Sequence, residues 1–310
     1  MENQILYDLI IIGGGPAGIT AGIYAIRKKL KTLIITKDLQ GQVQWAVSVE
    51  NYPGLPDIKG MDLAKRFENH LKQYEAEIIN DEVIKIEKEN QIFALITKSG
   101  DRFIAMSVII ASGADPRPLE VPGEKEFIGK GVTYCVTCDA PFFKDKPVAV
   151  IGGGNAGVKT AVELTHYASK VYLLEFQERL AADEWEQERA MNNEKIEIFT
   201  SAALKSIEGK NKIEKITYED IKSKQKKNLN VEGVFVSVGT QPATSFIKEL
   251  VDFNEKDEIA IDPKTCQTKT PGLFSAGDVT DVKYNQIVIA AGEGAKAALS
   301  VYDYLRNLKK

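Results

Sequence analysis

Short runs of β-branched and other apolar residues alternate along this chain with stretches whose apolar positions recur at helical spacing. Residues 5–18, ILYDLIIIGGGPAG, and residues 146–157, KPVAVIGGGNAG, are each an apolar β-rich run closed by three glycines. A helix-like run follows each: ITAGIYAIRK after the first and VKTAVELTHYA after the second. Each helix leads to another apolar strand, TLIIT (32–36) and KVYLLEF (170–176). The pattern predicts a strand–turn–helix–strand unit, written twice. The runs VIIASG (108–113) and VFVSVG (234–239) supply a late strand for each half. Segments such as EVIKIE and IEKITYE alternate apolar and polar residues and predict small antiparallel sheets. A third block contains GLFSAGDVT (272–280) and QIVIAAGEGAKAALSVYDYL (286–305), the latter a long helix with small residues on one face.

The repeat predicts an α/β protein of two Rossmann-like, three-layer ββα dinucleotide-binding domains. The Pro-rich piece ADPRPLEVPG (114–123) marks the entry to the second half, and TQPATSF (240–246) marks the return. The expected domains are therefore 1–113 with 245–310, and 114–244.

Composition narrows the classes. The 310 residues are 44% hydrophobic and 27% charged, with a net charge of −4, so neither nucleic acid nor an anionic membrane is an expected partner. No run of ~18 apolar residues is present to span a bilayer. The N-terminal apolar run follows Glu2 and Asp8, with no leading basic residues, and reads as a strand instead of a signal peptide. The expectation is a cytoplasmic protein.

The glycines carry the first chemistry. Gly13, Gly15 and Gly18 form one G-x-G-x-x-G set, with Pro16 and Ala17 inside it; Gly152, Gly154 and Gly157 form the other, with Asn155 and Ala156. The first glycine makes a tight turn, the second admits a pyrophosphate to the backbone, and the third lets helix and strand pack closely. The phosphate then sits at the helix N-terminus. The alternative is a pair of glycine-rich turns with no ligand. Glu175 stands 21 residues after Gly154, where a carboxylate accepts from the ribose hydroxyls of NADH and repels the extra phosphate of NADPH. Its other reading is a solvated surface glutamate. In the first half Thr36 occupies the equivalent place and Asp38 comes slightly late.

Cys135 and Cys138, in YCVTCDAPFF, are a C-x-x-C pair among only three cysteines. A zinc site would need two more ligands, and Cys266, His70 and His166 form no second spaced pair, so no metal is expected. A purely structural bridge closes too small a loop to constrain the unfolded chain much. A redox-active thiol pair fits best, because a thiol at a helix start in C-x-x-C has a lowered pKa. Cys266 is expected to be an inert surface or packing thiol.

In order, GGGPAG (13–18), ENYPG (50–54), CVTCD (135–139), GGGNAG (152–157) and AGDV (276–279) resemble the low-molecular-weight thioredoxin reductase family of flavoproteins, over essentially the whole chain. LLEFQERLAAD (173–183) and the C-terminal helix also resemble the flavoprotein part of the alkyl hydroperoxide reductase F protein. The resemblance implies FAD on the first glycine loop, with Gln42 and Asn51 near the flavin. It further implies Gly277 and Asp278 at the ribityl or phosphate region and Gln286 and Ile287 over the ring. It implies a nicotinamide cofactor on the second loop. Cys138 would be the thiol beside the flavin, Cys135 the attacking thiol, and Asp139 the acid/base; Asp139 also reads as an N-cap. A homodimer and a domain rotation about segments near 114–118 and 240–245 are further family expectations. Two departures stand out. Glu175, Phe176 and Gln177 replace the basic run of NADPH-using members, which favours NADH, and LQGQ (39–42) lacks the paired glycines before the glutamine. The implied function is an FAD-dependent disulfide reductase serving a thioredoxin-, glutaredoxin- or peroxiredoxin-type protein. The alternatives are the same chemistry with ferredoxin as donor, and a non-catalytic redox-sensing flavin module.

Overall fold

The computed structural model describes residues 5–46 and 49–308. The chain divides into two compact units, Met1–Asp115 with Gln241–Lys310, and Pro116–Thr240. The chain crosses between them at Ala114–Pro116 and Thr240–Pro242, which form a two-stranded sheet.

In the first unit a five-stranded parallel sheet runs in the spatial order Leu273–Ser275, Val108–Ile110, Leu9–Ile12, Thr32–Thr36, Glu77–Asn80. The strands LIII and TLIIT are buried at every position, as a sheet covered on both faces requires. The period of two sorts their side chains. Leu9, Ile11 and Ile34 enter the core beneath the helices Pro16–Arg27 and Ile287–Leu308. Ile10, Ile12, Leu33 and Ile35 enter a second core on the opposite face. That second core is closed by a four-stranded sheet, Leu6–Tyr7, Arg102–Ala105, Ile92–Thr97 and Val83–Glu89. Burying each such aliphatic side chain contributes about 1.5–3 kcal/mol. The two helices touch backbone to backbone: a Cβ on Gly294 would lie 2.1 Å from the Ala17 carbonyl oxygen, so only glycine allows this approach.

The second unit repeats the plan. Its parallel sheet runs Val132–Thr133, Gly233–Val236, Pro147–Ile151, Lys170–Leu174, Ile196–Phe199. A three-stranded antiparallel sheet, Ala202–Gly209, Ile213–Asp220 and Lys226–Asn230, supplies Ile207, Ile213, Ile216 and Tyr218 to the core it shares with Ala149, Ile151, Val234 and Val236. The helices Asn155–Leu164 and Glu184–Met191 complete it. Both units are thus three-layer α/β domains of the Rossmann-like type. One strand is shorter than its hydrophobic pattern: KVYLLEF is strand only over Lys170–Leu174, and beyond it the Glu175 carboxylate accepts the Gln177 N–H of the following turn. Among the described residues no helix is long and apolar enough to cross a membrane.

Candidate functional site

The two glycine loops have the same geometry. Gly13 and Gly152 have φ of 111° and 113°, a region closed to side chains. A Cβ there would lie 2.1 Å from the Ala111 carbonyl oxygen in one loop and 2.2 Å from that of Ser237 in the other. A Cβ on Gly18 would meet the Gly13 carbonyl oxygen at 1.9 Å, and one on Gly157 the Gly152 oxygen at 1.8 Å. The helix is therefore locked against its own strand. Gly15 and Gly154, by contrast, face open space, with nothing within 4 Å of a built Cβ. They are the N-caps of Pro16–Arg27 and Asn155–Leu164, and neither helix has a side-chain cap. Two uncapped N-termini beside bare backbone are anion cradles.

The ends of the second strands brace the loops. Glu175 is 8% exposed, which excludes its reading as a solvated surface residue. Its Oε2 accepts the Gly153 N–H at 2.5 Å and its Oε1 the Gln177 N–H at 2.7 Å. The Gly153 carbonyl accepts from Ala181 N at 2.9 Å and Ala182 N at 3.1 Å. Asn155 and Asp183 bond reciprocally, Nδ2 donating to Oδ2 at 3.0 Å and Asp183 N to Oδ1 at 2.7 Å. In the first unit Thr36 Oγ1 donates to the Asp38 carbonyl at 2.5 Å, and Asp38 Oδ1 accepts from Gln40 N at 2.9 Å and Gly41 N at 2.5 Å. The middle glycines pack onto these ends: a Cβ on Gly14 would lie 2.7 Å from Thr36 Oγ1, and one on Gly153 2.7 Å from Glu175 Oε2. Reading the motif as three glycines missed Gly14 and Gly153; the unbroken GGG runs were the signal.

Other candidates of the first unit converge. Asn51 Nδ2 donates to Gln286 Oε1 at 2.9 Å, joining residues 235 apart in sequence. Ile287 opens the helix that follows Gln286. Gln42 Nε2 donates to the Ala114 carbonyl. Gly277, at φ 80°, lies so that a Cβ would be 3.1 Å from Ala17 Cβ, which sets the AGDV turn against the glycine-loop helix. Glu293, which no motif singles out, is buried and accepts the Gly277 N–H through Oε2 at 2.8 Å. Burial pushes the carboxyls of Asp278 and Glu293 up from their ordinary values.

In the second unit Cys135 and Cys138 are joined as a disulfide with Cα atoms 5.4 Å apart. Cys135 is the N-cap of the single turn Val136–Asp139, and its Sγ accepts the Cys138 N–H at 3.2 Å. Thr133 Oγ1 accepts the Cys135 N–H at 3.1 Å. Cys138 is exposed and Cys135 half-buried. Asp139 closes the turn; its side chain makes no cap bond to the following 3-10 turn Ala140–Phe143, so the capping role is not what holds it there. Cys266 is buried and lies in the core of the first unit; burial pushes its thiol up to about 11. Among the described residues no group of three or more His, Cys, Asp or Glu is arranged to hold a metal ion.

A family model described as pyridine nucleotide-disulphide oxidoreductase matches residues 7–294. The chain belongs to this family. The alkyl hydroperoxide reductase F protein of Staphylococcus aureus (strain MRSA252) is 40% identical over 305 residues, 98% of this chain and 60% of that protein. A Bacillus subtilis (strain 168) protein named NADH dehydrogenase is 40% identical over 299 residues, 96% of this chain and 58% of its own length. The chain thus spans about 60% of the curated relatives it matches. Lactococcus lactis thioredoxin reductase has a solved structure that superposes with a TM-score of 0.93 at 36% identity, covering 97% of this chain and 99% of that one.

Members of the pyridine nucleotide-disulphide oxidoreductase family are enzymes that work with FAD and a pyridine nucleotide. The residues present fit both groups. Each glycine loop offers an unfilled cradle over Gly15 or Gly154 at an uncapped helix N-terminus, which is what a dinucleotide pyrophosphate needs.

Proposed function

We propose that this chain is an FAD-dependent disulfide reductase. It takes electrons from NADH in preference to NADPH and delivers them through Cys135 and Cys138 to a small thioredoxin-, glutaredoxin- or peroxiredoxin-type protein. The observation that carries the reading is the closed Cys135–Cys138 pair at the start of a helical turn. It lies in the unit whose strand Lys170–Leu174 leads into Glu175, Phe176 and Gln177, with no basic run for a 2′-phosphate. The names of two relatives, a component of an alkyl hydroperoxide reductase and an NADH dehydrogenase, support the same acceptor chemistry and donor.

In this reading residues 1–113 and 245–310 hold FAD and residues 114–244 hold NADH. Bound FAD supplies a two-electron relay between the nicotinamide and the disulfide. The loop from Gly13 to Gly18, Asp278, and the Asn51–Gln286 pair orient the first cofactor; the loop from Gly152 to Gly157 holds the pyrophosphate of the second. With both sulfurs reduced, the Cys135 thiolate attacks one sulfur of the partner's disulfide and breaks that bond, and the released partner sulfur takes a proton. Cys138 then attacks the Cys135 sulfur of the mixed disulfide, restores the Cys135–Cys138 bond and expels the second partner sulfur. Asp139 moves the proton at these sulfurs. The amide of Cys138, bonded to Cys135 Sγ, favours the thiolate that starts the exchange.

Anaerobic titration of the purified protein tests the donor. NADH bleaches the flavin absorbance at lower concentration than NADPH; a flavin left oxidised by NADH but reduced by ferredoxin overturns the assignment. Cofactor-dependent reduction of DTNB that disappears in Cys138→Ser excludes a non-catalytic flavin module. Sedimentation at micromolar concentration tests the expected homodimer.

A further inference from the structure

A buried carboxylate is tied to the residue before Cys135, and neither the motifs nor the proposed mechanism uses it. Glu124 is 1% exposed and opens the short helix Glu124–Phe127. It accepts three hydrogen bonds: Leu119 N and Tyr134 Oη to Oε1 at 2.7 and 2.5 Å, and Glu120 N to Oε2 at 2.8 Å. The turn it braces is tightly made. Glu120 and Gly123 are left-handed at φ 57° and 89°, and a Cβ on Gly123 would lie 1.9 Å from the Ile207 carbonyl oxygen. Tyr134 is half-buried and packs against the core of this unit. Burial, and then the bond to Glu124, push its phenol well above the usual range, so the hydroxyl stays a donor. Tyr134 immediately precedes Cys135, which is extended at φ −123°, ψ 99°, so the two side chains leave the backbone on opposite sides.

We propose that Tyr134 and Glu124 are a positioning pair that fixes Cys135 within reach of Cys138 when the two sulfurs are not bonded. Neither residue touches the reacting atoms. The tyrosine is an anchor packed against the core of this unit, and the carboxylate is the rigid post to which it is tied. In the disulfide the covalent bond holds Cys135 in place. In the dithiol that tie is gone, and the anchor acts beside Thr133 Oγ1 on the Cys135 amide and the Asp139 amide on the Cys135 carbonyl. Loosening the anchor therefore adds freedom mainly to the dithiol and shifts the equilibrium toward it, because ring closure then restricts more of the chain. This inference rests on the reading of Cys135 and Cys138 as the redox pair.

The test compares Tyr134→Phe with Glu124→Gln in the full, flavin-loaded chain. Tyr134→Phe keeps the ring and removes only the hydroxyl. Glu124→Gln, with its amide nitrogen facing Glu120 N, keeps an oxygen for Tyr134 and spoils a backbone cap instead. The dithiol-to-disulfide ratio is read by thiol alkylation and mass shift after equilibration with reduced and oxidised dithiothreitol. The ratio is read at several pH values, so that a change in the thiolate character of Cys135, whose effect varies with pH, separates from the loss of positioning, whose effect does not. Tyr134→Phe shifts the ratio toward dithiol about fivefold, equivalent to about 20 mV for a two-electron couple. Glu124→Gln lowers the unfolding temperature yet leaves the ratio within twofold of wild type. A Tyr134→Phe ratio within twofold of wild type overturns the proposal, and so do equal shifts in both variants. A wild-type disulfide that NADH never reduces overturns the redox reading itself, which is a separate outcome.

Discussion

Two glycines three residues apart in one loop have opposite demands, and replacing each with alanine separates folding from binding. Gly157→Ala places a Cβ 1.8 Å from the Gly152 carbonyl oxygen, a backbone atom that can move away only if helix and strand part by more than an ångström. Overpacking of that kind costs about 1–3 kcal/mol. The gain in helix propensity on replacing a glycine returns at most about 1 kcal/mol, so the net effect is a loss of stability. Gly154→Ala places its Cβ in open space at φ −79°, ψ 179°, extended backbone that any residue adopts. The lower entropy of the unfolded chain, worth about 0.4–1 kcal/mol, offsets the poorer N-cap, and stability stays near wild type. On the proposed reading of this loop, the added methyl fills the place where the NADH pyrophosphate meets the backbone. Losing that contact weakens NADH by tenfold or more, or about 1.4 kcal/mol. Thermal unfolding followed by circular dichroism reads the first effect, and the NADH dependence of anaerobic flavin reduction reads the second. A Gly154→Ala protein that binds NADH like wild type refutes the assignment of this loop. A Gly157→Ala protein with unchanged melting refutes the packing argument.

Three further outcomes follow from the same geometry. Glu175→Ala leaves the Gly153 and Gln177 amides without their acceptors, at about 1–3 kcal/mol each before water enters; the melting temperature falls and NADH binding weakens together, and a fall in binding alone contradicts the bracing role. Cys138→Ser abolishes NADH-driven DTNB reduction while flavin reduction by NADH persists, and its Cys135 captures a partner as a stable mixed disulfide; persistence of turnover removes Cys138 from the pathway. Cys266 has a folded-state value of about 11 against an ordinary 9.0, so the folded state holds its proton longer than the unfolded one. That contribution is complete below pH 9 and is lost as pH rises toward 11. Cys266→Ala should therefore flatten the alkaline loss of stability in urea unfolding between those values, and an unchanged slope speaks against it.

The repeated strand–glycine–helix pattern was readable because it is local. Turn, close approach and helix start all fall within a dozen residues, and the alternation of LIII between two cores follows from the period of a strand. The C-x-x-C pair was readable for the same reason. What could not be read were partners far apart in the chain. Glu124 and Glu293 look like ordinary surface acids in a sequence, and Glu175 stood out only as a carboxylate for a ribose; all three are buried with backbone amides on their carboxylates. Nothing in the residue type distinguishes such a bracing acid from a solvated one. The end of the strand at Leu174 escapes a reading of hydropathy, since Phe176 continues the apolar pattern while the Glu175 carboxylate takes the Gln177 amide in a turn. The hydrogen bond between Asn51 and Gln286 could not be read either, because no periodicity connects residues so distant; the resemblance implied only that each lies near the flavin.

The seating of Gly294 on Ala17 has a consequence for how this chain is made. During synthesis the opening strands leave the ribosome almost three hundred residues ahead of the helix that roofs them, and the edge strand at Leu273–Ser275 also comes late. The nascent first lobe must wait, half-covered and greasy on one flank, while the intervening lobe is translated without interruption. A pause or truncation upstream of residue 287 would leave that flank bare to chaperones and to neighbouring copies.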